Sequence, residues 1–260
     1  MSVSSFLGCE PVLRGSTVAI FGATSAVAAQ VARAYAARGA RLALIGRNHD
    51  KLQQLVAELG SHVVYSRAQD FAKTSEAEAC VATLLAALGR VDVALIAHGL
   101  LGDQLASEHS FHEAEQIAQV NYLSVVALLI PLANALEKQG DGRLAVITSV
   151  AAERGRPRNY SYAAAKAALN VYLQGLRSRL YARGVTVHTI KLGPVDTPMT
   201  VGHRKNLLFS DVSSVAGHVL RALDRRVAEA FVPPFWALIM PVVRNMPEAL
   251  FQRIGSLSGR

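Results

Sequence analysis

The chain has 260 residues, 51% of them hydrophobic, with a formal net charge of +8, which suits one α/β domain (1–260) around a sheet buried on both faces. Its basic residues are scattered, with small groups only at Arg154-Arg156-Arg158 and Arg225-Arg226, which argues against nucleic-acid binding. Two distant cysteines, Cys9 and Cys80, imply neither a disulfide framework nor a metal site, and Met1 to Gly8 lacks the features of a signal peptide, so a reduced, cytoplasmic protein is expected.

In chain order, Val18–Phe21 predicts the first strand and Ala26–Arg38 the first helix, joined by the turn Gly22-Ala-Thr-Ser-Ala-Val-Ala28. A strand–turn–helix junction can hold a dinucleotide pyrophosphate, because the first N–H groups of a helix are unpaired and favour an anion. Gly22 allows a sharp turn, while Thr24 and Ser25 can bond phosphate oxygens or cap the helix. Ala26 and Ala28 stand where such turns carry glycine, so the turn alone reads equally well as a plain loop. If it is a cofactor turn, both alanines must keep negative φ, since a Cβ at positive φ is costly.

The second strand, Leu42–Ile45, runs into Gly46-Arg47 ahead of a helix at Lys51–Leu59. A cofactor without a 2′-phosphate usually has its ribose held by a carboxylate at this strand end. A glycine followed by a guanidinium, which pairs a phosphate bidentately, favours NADP(H) over NAD(H); the bland alternative is a solvated arginine at a helix start.

Further strands are predicted at Val63–Tyr65, Val93–Ala97, Leu144–Thr148, Val185–Leu192 and Ala230–Val232. Helices are predicted at Glu76–Leu88, Glu113–Gln139, Tyr162–Arg183 and Val212–Arg226. Thr74 and Asp211 read as start signals, and Gly39, Gly60, Gly89, Gly140 and Gly184 as stops. Alternating β and α units with right-handed crossovers predict a doubly wound parallel sheet, a Rossmann fold of about seven strands with helices on both faces.

The chemistry gathers in Ser161-Tyr162-Ala-Ala-Ala-Lys166. Tyr162 and Lys166, four residues apart on a helix, share one face. A phenol with a pKa of about 10 is a poor acid–base group at neutral pH, and a nearby ammonium lowers that pKa. Ser149, at a strand end, could donate a hydrogen bond to a substrate oxygen.

The set Gly22-x-x-x-Ala26-x-Ala28, Asn121, Ser149, Tyr162-x-x-x-Lys166 and Gly193-Pro-Val-Asp-Thr197 resembles the short-chain dehydrogenase/reductase family from about residue 15 to 200. The resemblance implies that Tyr162 protonates a carbonyl oxygen, Ser149 orients it, Lys166 holds the nicotinamide ribose and lowers the Tyr162 pKa, and Asn121 holds a water. It places Gly22, Thr24, Ser25, Ala26 and Val27 at the pyrophosphate, Arg47 at the 2′-phosphate and Asp70 beside the adenine. Ala97, His98 and Gly99 would follow the cofactor, and Pro194, Val195 and Thr197 would contact the carboxamide or pyrophosphate. The sequence departs from the family at Ala26 and Ala28, and at Ile96-Ala97-His98-Gly99, where the family carries Asn-Asn-Ala-Gly. His98 is read as structural, and His109, His112 and His203 as surface residues.

Segments 194–210 and 231–260 are expected to shape the substrate pocket. The apolar run from Phe231 to Arg244, broken by prolines, is too short to span a membrane. It can pack on the core or a second subunit, form a lipid-accepting wall or membrane contact with Trp236, Arg244 and Arg253 at the interface, or act as a flap. The segments GATSA, IAHG and VDTPM with this tail also resemble a bacterial subgroup that includes decaprenylphosphoryl keto-pentose reductases of cell-wall arabinan synthesis.

The leading expectation is an NADP(H)-dependent carbonyl reductase or alcohol dehydrogenase acting on a small or lipid-linked carbonyl compound. The alternatives are a β-ketoacyl reductase and a non-enzymatic cofactor sensor. A homodimer or homotetramer is expected through the helices Glu113–Gln139 and Tyr162–Arg183, with Val125, Leu128, Leu169 and Leu173 offered as contacts.

Overall fold

The computed structural model describes residues 15–201 and 205–255. Cys9, His203 and residues 202–204 of the substrate loop lie outside them.

Seven parallel strands form one sheet in the order β3-β2-β1-β4-β5-β6-β7. They are β1 (Thr17–Phe21), β2 (Arg41–Gly46), β3 (Val63–Ala68), β4 (Val93–Ile96), β5 (Gly142–Ser149), β6 (Val185–Leu192) and β7 (Glu229–Val232). Every predicted strand is present. The central strands are mostly apolar because both faces are covered: all five residues of β1 and all four of β4 are buried. Alternate side chains feed two cores. Val18 and Ile20 meet Val31 of helix α1 (Ala26–Ala37), Leu52 of α2 (His49–Leu59) and Val219 of α8 (Val212–Asp224). Ala19 and Phe21 meet Leu84 of α3 (Ala77–Leu88), Leu129 of α6 (Ser124–Gln139) and Leu169 of α7 (Tyr160–Leu180).

Asp211 caps α8 as expected, accepting from Ser214 N at 2.8 Å. Thr74 does not cap α3: it opens a 3₁₀ turn, and the residue ahead of the helix is Glu76, without a side-chain cap bond. A short α4 (Gln104–Ser107) was not expected. The helix predicted from Glu113 to Gln139 consists of α5 (Phe111–Ala118), a π-helical turn at Gln119–Leu123, and α6. By length and composition this helical stretch could cross a membrane. Val125, Leu129, Leu132 and Leu136, however, are buried within the protein core.

Two expectations about exposure are corrected. Val125, Leu128, Leu169 and Leu173 are core residues, turned toward the sheet, and cannot serve a subunit interface. Large apolar residues exposed on these helical stretches include Phe111, Leu123, Ile130, Val171 and Tyr181. Trp236 is likewise not interfacial: it is 5% exposed and packs with Val150, Met240, Val243 and Phe251. That cluster seats α9 (Trp236–Asn245) and α10 (Glu248–Arg253) on the 3₁₀ turn Val150–Glu153 that follows β5. Phe235, Leu238, Val242 and Leu250 remain exposed.

Candidate active site

The strand order reverses between β1 and β4, so the loops after these strands part and leave a crevice at their carboxyl ends. Gly22 lies there with φ +79°, and a Cβ on it would come within 2.6 Å of the His98 backbone nitrogen. Only glycine lets the two loops approach so closely. Ser25 caps α1, accepting from Ala28 N. Among the described residues Arg226 alone combines a side chain with positive φ, so Ala26 and Ala28 both have negative φ, as expected. Val27 and Ala28 face the core, whereas Thr24, Ser25 and Ala26 keep partial exposure on the crevice turn.

At the end of β2, a Cβ on Gly46 would lie 3.0 Å from the Thr24 methyl. The Thr24 side chain thus crowds the Cβ position of any carboxylate-bearing residue placed there. Arg47 is exposed and forms no ion pair among the described residues. Lys51, which the sequence did not single out, lines the same cleft as Thr24. Asp70 accepts from Ala72 N at 3.1 Å in its turn after β3.

Ala97 N donates to Phe21 O, tying β4 to β1. His98 is buried: its ring stacks on Phe71 with centroids 4.1 Å apart, and Nε2 lies 2.8 Å from Ser124 Oγ. Burial, with the Lys166 charge adding to it, pushes its pKa down to about 3, so the ring is neutral. Gly99 gives the close approach that follows, since a Cβ there would sit 3.0 Å from Asn121 Oδ1 and 3.4 Å from Lys166 Nζ.

Asn121 is fully buried in the π-helical turn. Its Nδ2 donates to Leu100 O and Ile117 O, and its Oδ1 accepts from Leu100 N. Both amide hydrogens are therefore committed to backbone, and the side chain can take a water only through Oδ1. Ser149 ends β5; its Oγ lies 3.4 Å from Leu192 O and accepts from Ala151 N.

Tyr162 and Lys166 lie on the first turns of α7, with Lys166 Nζ 5.9 Å from the Tyr162 ring centroid. Lys166 is 3% exposed and donates to Ile147 O at 3.3 Å. Burial pushes its pKa down to about 8. Burial also pushes the Tyr162 phenol up to about 12, while Ser149 is close enough to pull it back partway. The expected lowering of the Tyr162 pKa by Lys166 is thus not found. Loss of water around the phenol sets the direction, and the partial offset comes from Ser149.

Pro194 O accepts from Ser210 N, and Val195 is buried and bridges to Ser210. Thr197 leads a 3₁₀ turn in which Thr200 Oγ1 bonds Val195 O and Thr197 O. His109 and His112 are exposed, as expected. Among the described residues no group of three His, Cys, Asp or Glu side chains could hold a metal.

The profile of the short chain dehydrogenases matches residues 16–207. The chain belongs to that family. An uncharacterized oxidoreductase of Mycobacterium tuberculosis is 34% identical over 242 residues, covering 91% of this chain and 96% of the relative. A short chain dehydrogenase from Burkholderia cenocepacia in complex with NADP superposes with a TM-score of 0.80 at 21% identity, covering 93% of this chain and 98% of the other. One from Burkholderia phymatum in complex with NAD gives 0.79 at 18%, covering 89% and 93%. The family membership makes the chain an oxidoreductase of the short-chain type, and the crevice fits its nicotinamide cofactor. Gly22 has no room for a Cβ, one on Gly99 would crowd Asn121 and Lys166, and Lys166 is a buried ammonium with donors to spare.

Sequence reasoning missed the elements that hold this site together. Arg154 Nη1 donates to Val243 O and Met246 O at the end of α9, Nη2 pairs with Glu248 at 2.6 Å, and the guanidinium lies over the Phe251 ring. Lys191 of β6 bridges Glu153 and Glu229 at 2.8 and 2.9 Å. The Arg154-Arg156-Arg158 group was the one visible signal.

Proposed function

We propose that the protein is an NADPH-dependent reductase of a carbonyl compound. The observation that carries this reading is the meeting of Tyr162, Ser149, Lys166 and Asn121 at the crevice beside Gly22 and Gly99. A nicotinamide cofactor bound there supplies the hydride. The residues that would hold it are Gly22, Thr24, Ser25, Ala26 and Val27 at the pyrophosphate, Arg47 at the 2′-phosphate, and Asp70, Ala97, His98 and Gly99 along the adenosine half. Lys166 would hold the ribose hydroxyls, with Pro194, Val195 and Thr197 beyond them.

With a pKa near 12, Tyr162 holds its proton at neutral pH and is poised as the acid that hands it to a carbonyl oxygen. Ser149 Oγ orients that oxygen. Asn121 fixes the Leu100 backbone, which keeps the loop after β4 in place beside Lys166. The preference for NADPH is supported by the Thr24 methyl over Gly46 and by the unpaired Arg47.

The test is NADPH oxidation across a panel of carbonyl compounds that includes a lipid-linked keto-sugar and β-ketoacyl thioesters. Tyr162→Phe should lower turnover by about a hundredfold or more while NADPH still binds. Full activity in that variant would remove Tyr162 from the mechanism. A lipid-linked substrate, as in the keto-pentose reductase subgroup, and peripheral membrane contact of a cytoplasmic protein are further parts of this reading. They draw support from the exposed Phe235, Leu238 and Val242 of the C-terminal segment, and co-sedimentation with anionic vesicles tests them. Assembly into a homodimer or homotetramer through the faces carrying Leu123, Ile130 and Val171 is tested by sedimentation.

A further inference from the structure

The 3₁₀ turn after β5 starts next to Ser149 and is fastened at both ends. At its near end Ala151 N donates to Ser149 Oγ at 3.1 Å. At its far end Glu153, the last residue of the turn, pairs through Oε1 with Lys191 Nζ at 2.8 Å. Lys191 lies on β6 one residue before Leu192, whose carbonyl oxygen is 3.4 Å from Ser149 Oγ. Ser149, its turn, Glu153, Lys191 and Leu192 therefore close a ring around the hydroxyl.

Both side chains of the pair are 7% exposed, and no other ion pair among the described residues has both partners so fully buried. Burying two charges costs desolvation that their attraction only roughly offsets, so such a pair is a poor source of stability. Its neighbours hold other elements. Lys191 also meets Glu229 at 2.9 Å and the Phe231 ring, both on β7, which lies across β6 from β5. Arg244 of α9 comes only within 3.8 Å of Glu153 Oε2, from a largely exposed position. Glu153 is the carboxylate that ties Lys191 to the serine's turn.

A serine hydroxyl has one proton and two lone pairs. Ala151 N–H occupies a lone pair, so the oxygen is held while the proton stays available. The proton's internal acceptor, Leu192 O, stands at the long edge of hydrogen bonding and is readily exchanged for a better one. Ser149 also lies close enough to Tyr162 to pull the phenol pKa down partway, which puts the hydroxyl beside the proposed acid.

We infer that the Glu153–Lys191 pair is a positioning device for Ser149: it pins the turn whose Ala151 amide holds the hydroxyl oxygen, and so keeps the hydroxyl proton aimed at the carbonyl oxygen of the substrate. This rests on the carbonyl-reductase reading and adds two positioning residues to it.

The test is the kinetics of NADPH oxidation on the best carbonyl compound of the panel. Glu153→Gln and Glu229→Gln each remove one carboxylate partner of Lys191, on opposite sides of β6. Glu153→Gln is expected to lower kcat about 10-fold with the KM for NADPH unchanged, whereas Glu229→Gln should stay within about twofold of the wild type. Glu153→Asp, which keeps the charge, should recover part of the loss. In the Ser149→Ala background Glu153→Gln should cost less than about twofold more, because a hydroxyl already absent cannot be misplaced. If Glu153→Gln does not fold, Glu153→Asp carries the same comparison with a smaller loss. Amide exchange of Ala151 gives a readout independent of turnover: about 10-fold faster in Glu153→Gln and in Ser149→Ala, with the amides of β4 unchanged. A loss of the same size in the Ser149→Ala background, equal losses in Glu153→Gln and Glu229→Gln, or unchanged Ala151 exchange in Glu153→Gln would reduce the pair to a structural clip and overturn the inference while leaving the reductase intact. Lack of wild-type turnover across the panel, with the exchange result as expected, would instead count against the reductase reading.

Discussion

The indole of Trp236 lies directly on Gly193: a methyl group in place of the glycine hydrogen would come within 2.1 Å of Nε1. Gly193 follows β6, whose last residue, Leu192, accepts from Ser149 Oγ, so the ring of α9 presses on the strand end beside the candidate active site. Gly193→Ala must displace either α9 or the strand end. Overpacking of this kind costs about 1–3 kcal/mol. The expected outcome is a melting temperature lower by several degrees and a raised KM for the carbonyl substrate. Trp236→Leu in the Gly193→Ala background should recover part of both losses. A Gly193→Ala variant with unchanged stability would mean that the ring moves freely, against its 5% exposure.

Lys166 sets function against stability. Its pKa is pushed from 10.5 to about 8, so between those pH values the unfolded chain binds a proton that the folded one does not. Stability therefore rises with pH across that interval, and the cost of burying the charge is fully present below about pH 8. At 1.36 kcal/mol per unit this cost is roughly 3 kcal/mol, an upper bound because removing the group also forfeits its bond to Ile147 O. Lys166→Met is expected to melt no lower than the wild type at pH 7 while losing most turnover. The difference in stability between the two should drift in favour of the wild type from pH 8 to 10.5. Thermal melts across that range check it, and a variant several degrees less stable at pH 7 would refute the assignment.

Cofactor preference should depend on two neighbouring residues in different ways. If Arg47 holds the 2′-phosphate as proposed, Arg47→Ala is expected to weaken NADPH binding by about 10- to 100-fold, with NADH binding little changed. Gly46→Asp, which introduces the carboxylate that NADH-binding members use, should fail to create NADH binding alone. The Thr24 methyl, 3.0 Å from the new Cβ, stands in the way. Thr24→Ala with Gly46→Asp should succeed where the single change does not. Fluorescence titration with both cofactors distinguishes these outcomes.

The parts legible in sequence were those fixed by local pattern or by chemistry at a set spacing. The central strands stood out as apolar runs because both faces of the sheet are covered there, whereas the edge strands β3 and β7 are only half-buried. Tyr162 and Lys166 stood out because one helical turn had to bring a phenol and an ammonium to one face. The π-helical turn at Asn121 was hidden, since the apolar periodicity of its neighbours continues through it. The helices α4, α9 and α10 are short, and Pro233, Pro234 and Pro241 read as breakers of the C-terminal segment. The Arg154 clamp closes on carbonyls of Val243 and Met246, and a backbone acceptor leaves no residue-type signature. The apolar stripe of Val125 and Leu128 was visible, but a stripe does not tell a sheet from a second subunit as its partner.

Acid sensitivity should centre on buried neutral histidines. His98 is pushed down to about 3 and His188 to about 4, each mainly by burial, from an ordinary value of 6.5. The folded forms resist protonation, so the unfolded chain takes up protons first as pH falls. The stabilising effect of keeping these rings neutral is fully present above about pH 6.5 and is lost progressively toward pH 3–4. At pH 4.5 each ring should have given up about 2–3 kcal/mol. His98→Ala sacrifices the stack on Phe71 and the bond to Ser124, and is expected to cost about 1–3 kcal/mol at pH 7. Because it also removes a group that resists protonation, the gap to the wild type should narrow as pH drops and close near pH 4.5. Urea midpoints at pH 7 and pH 4.5 measure the two gaps. Equal gaps at both pH values would show that His98 is protonated in the fold as readily as in the unfolded chain, which its sealed position between Phe71 and Ser124 does not allow.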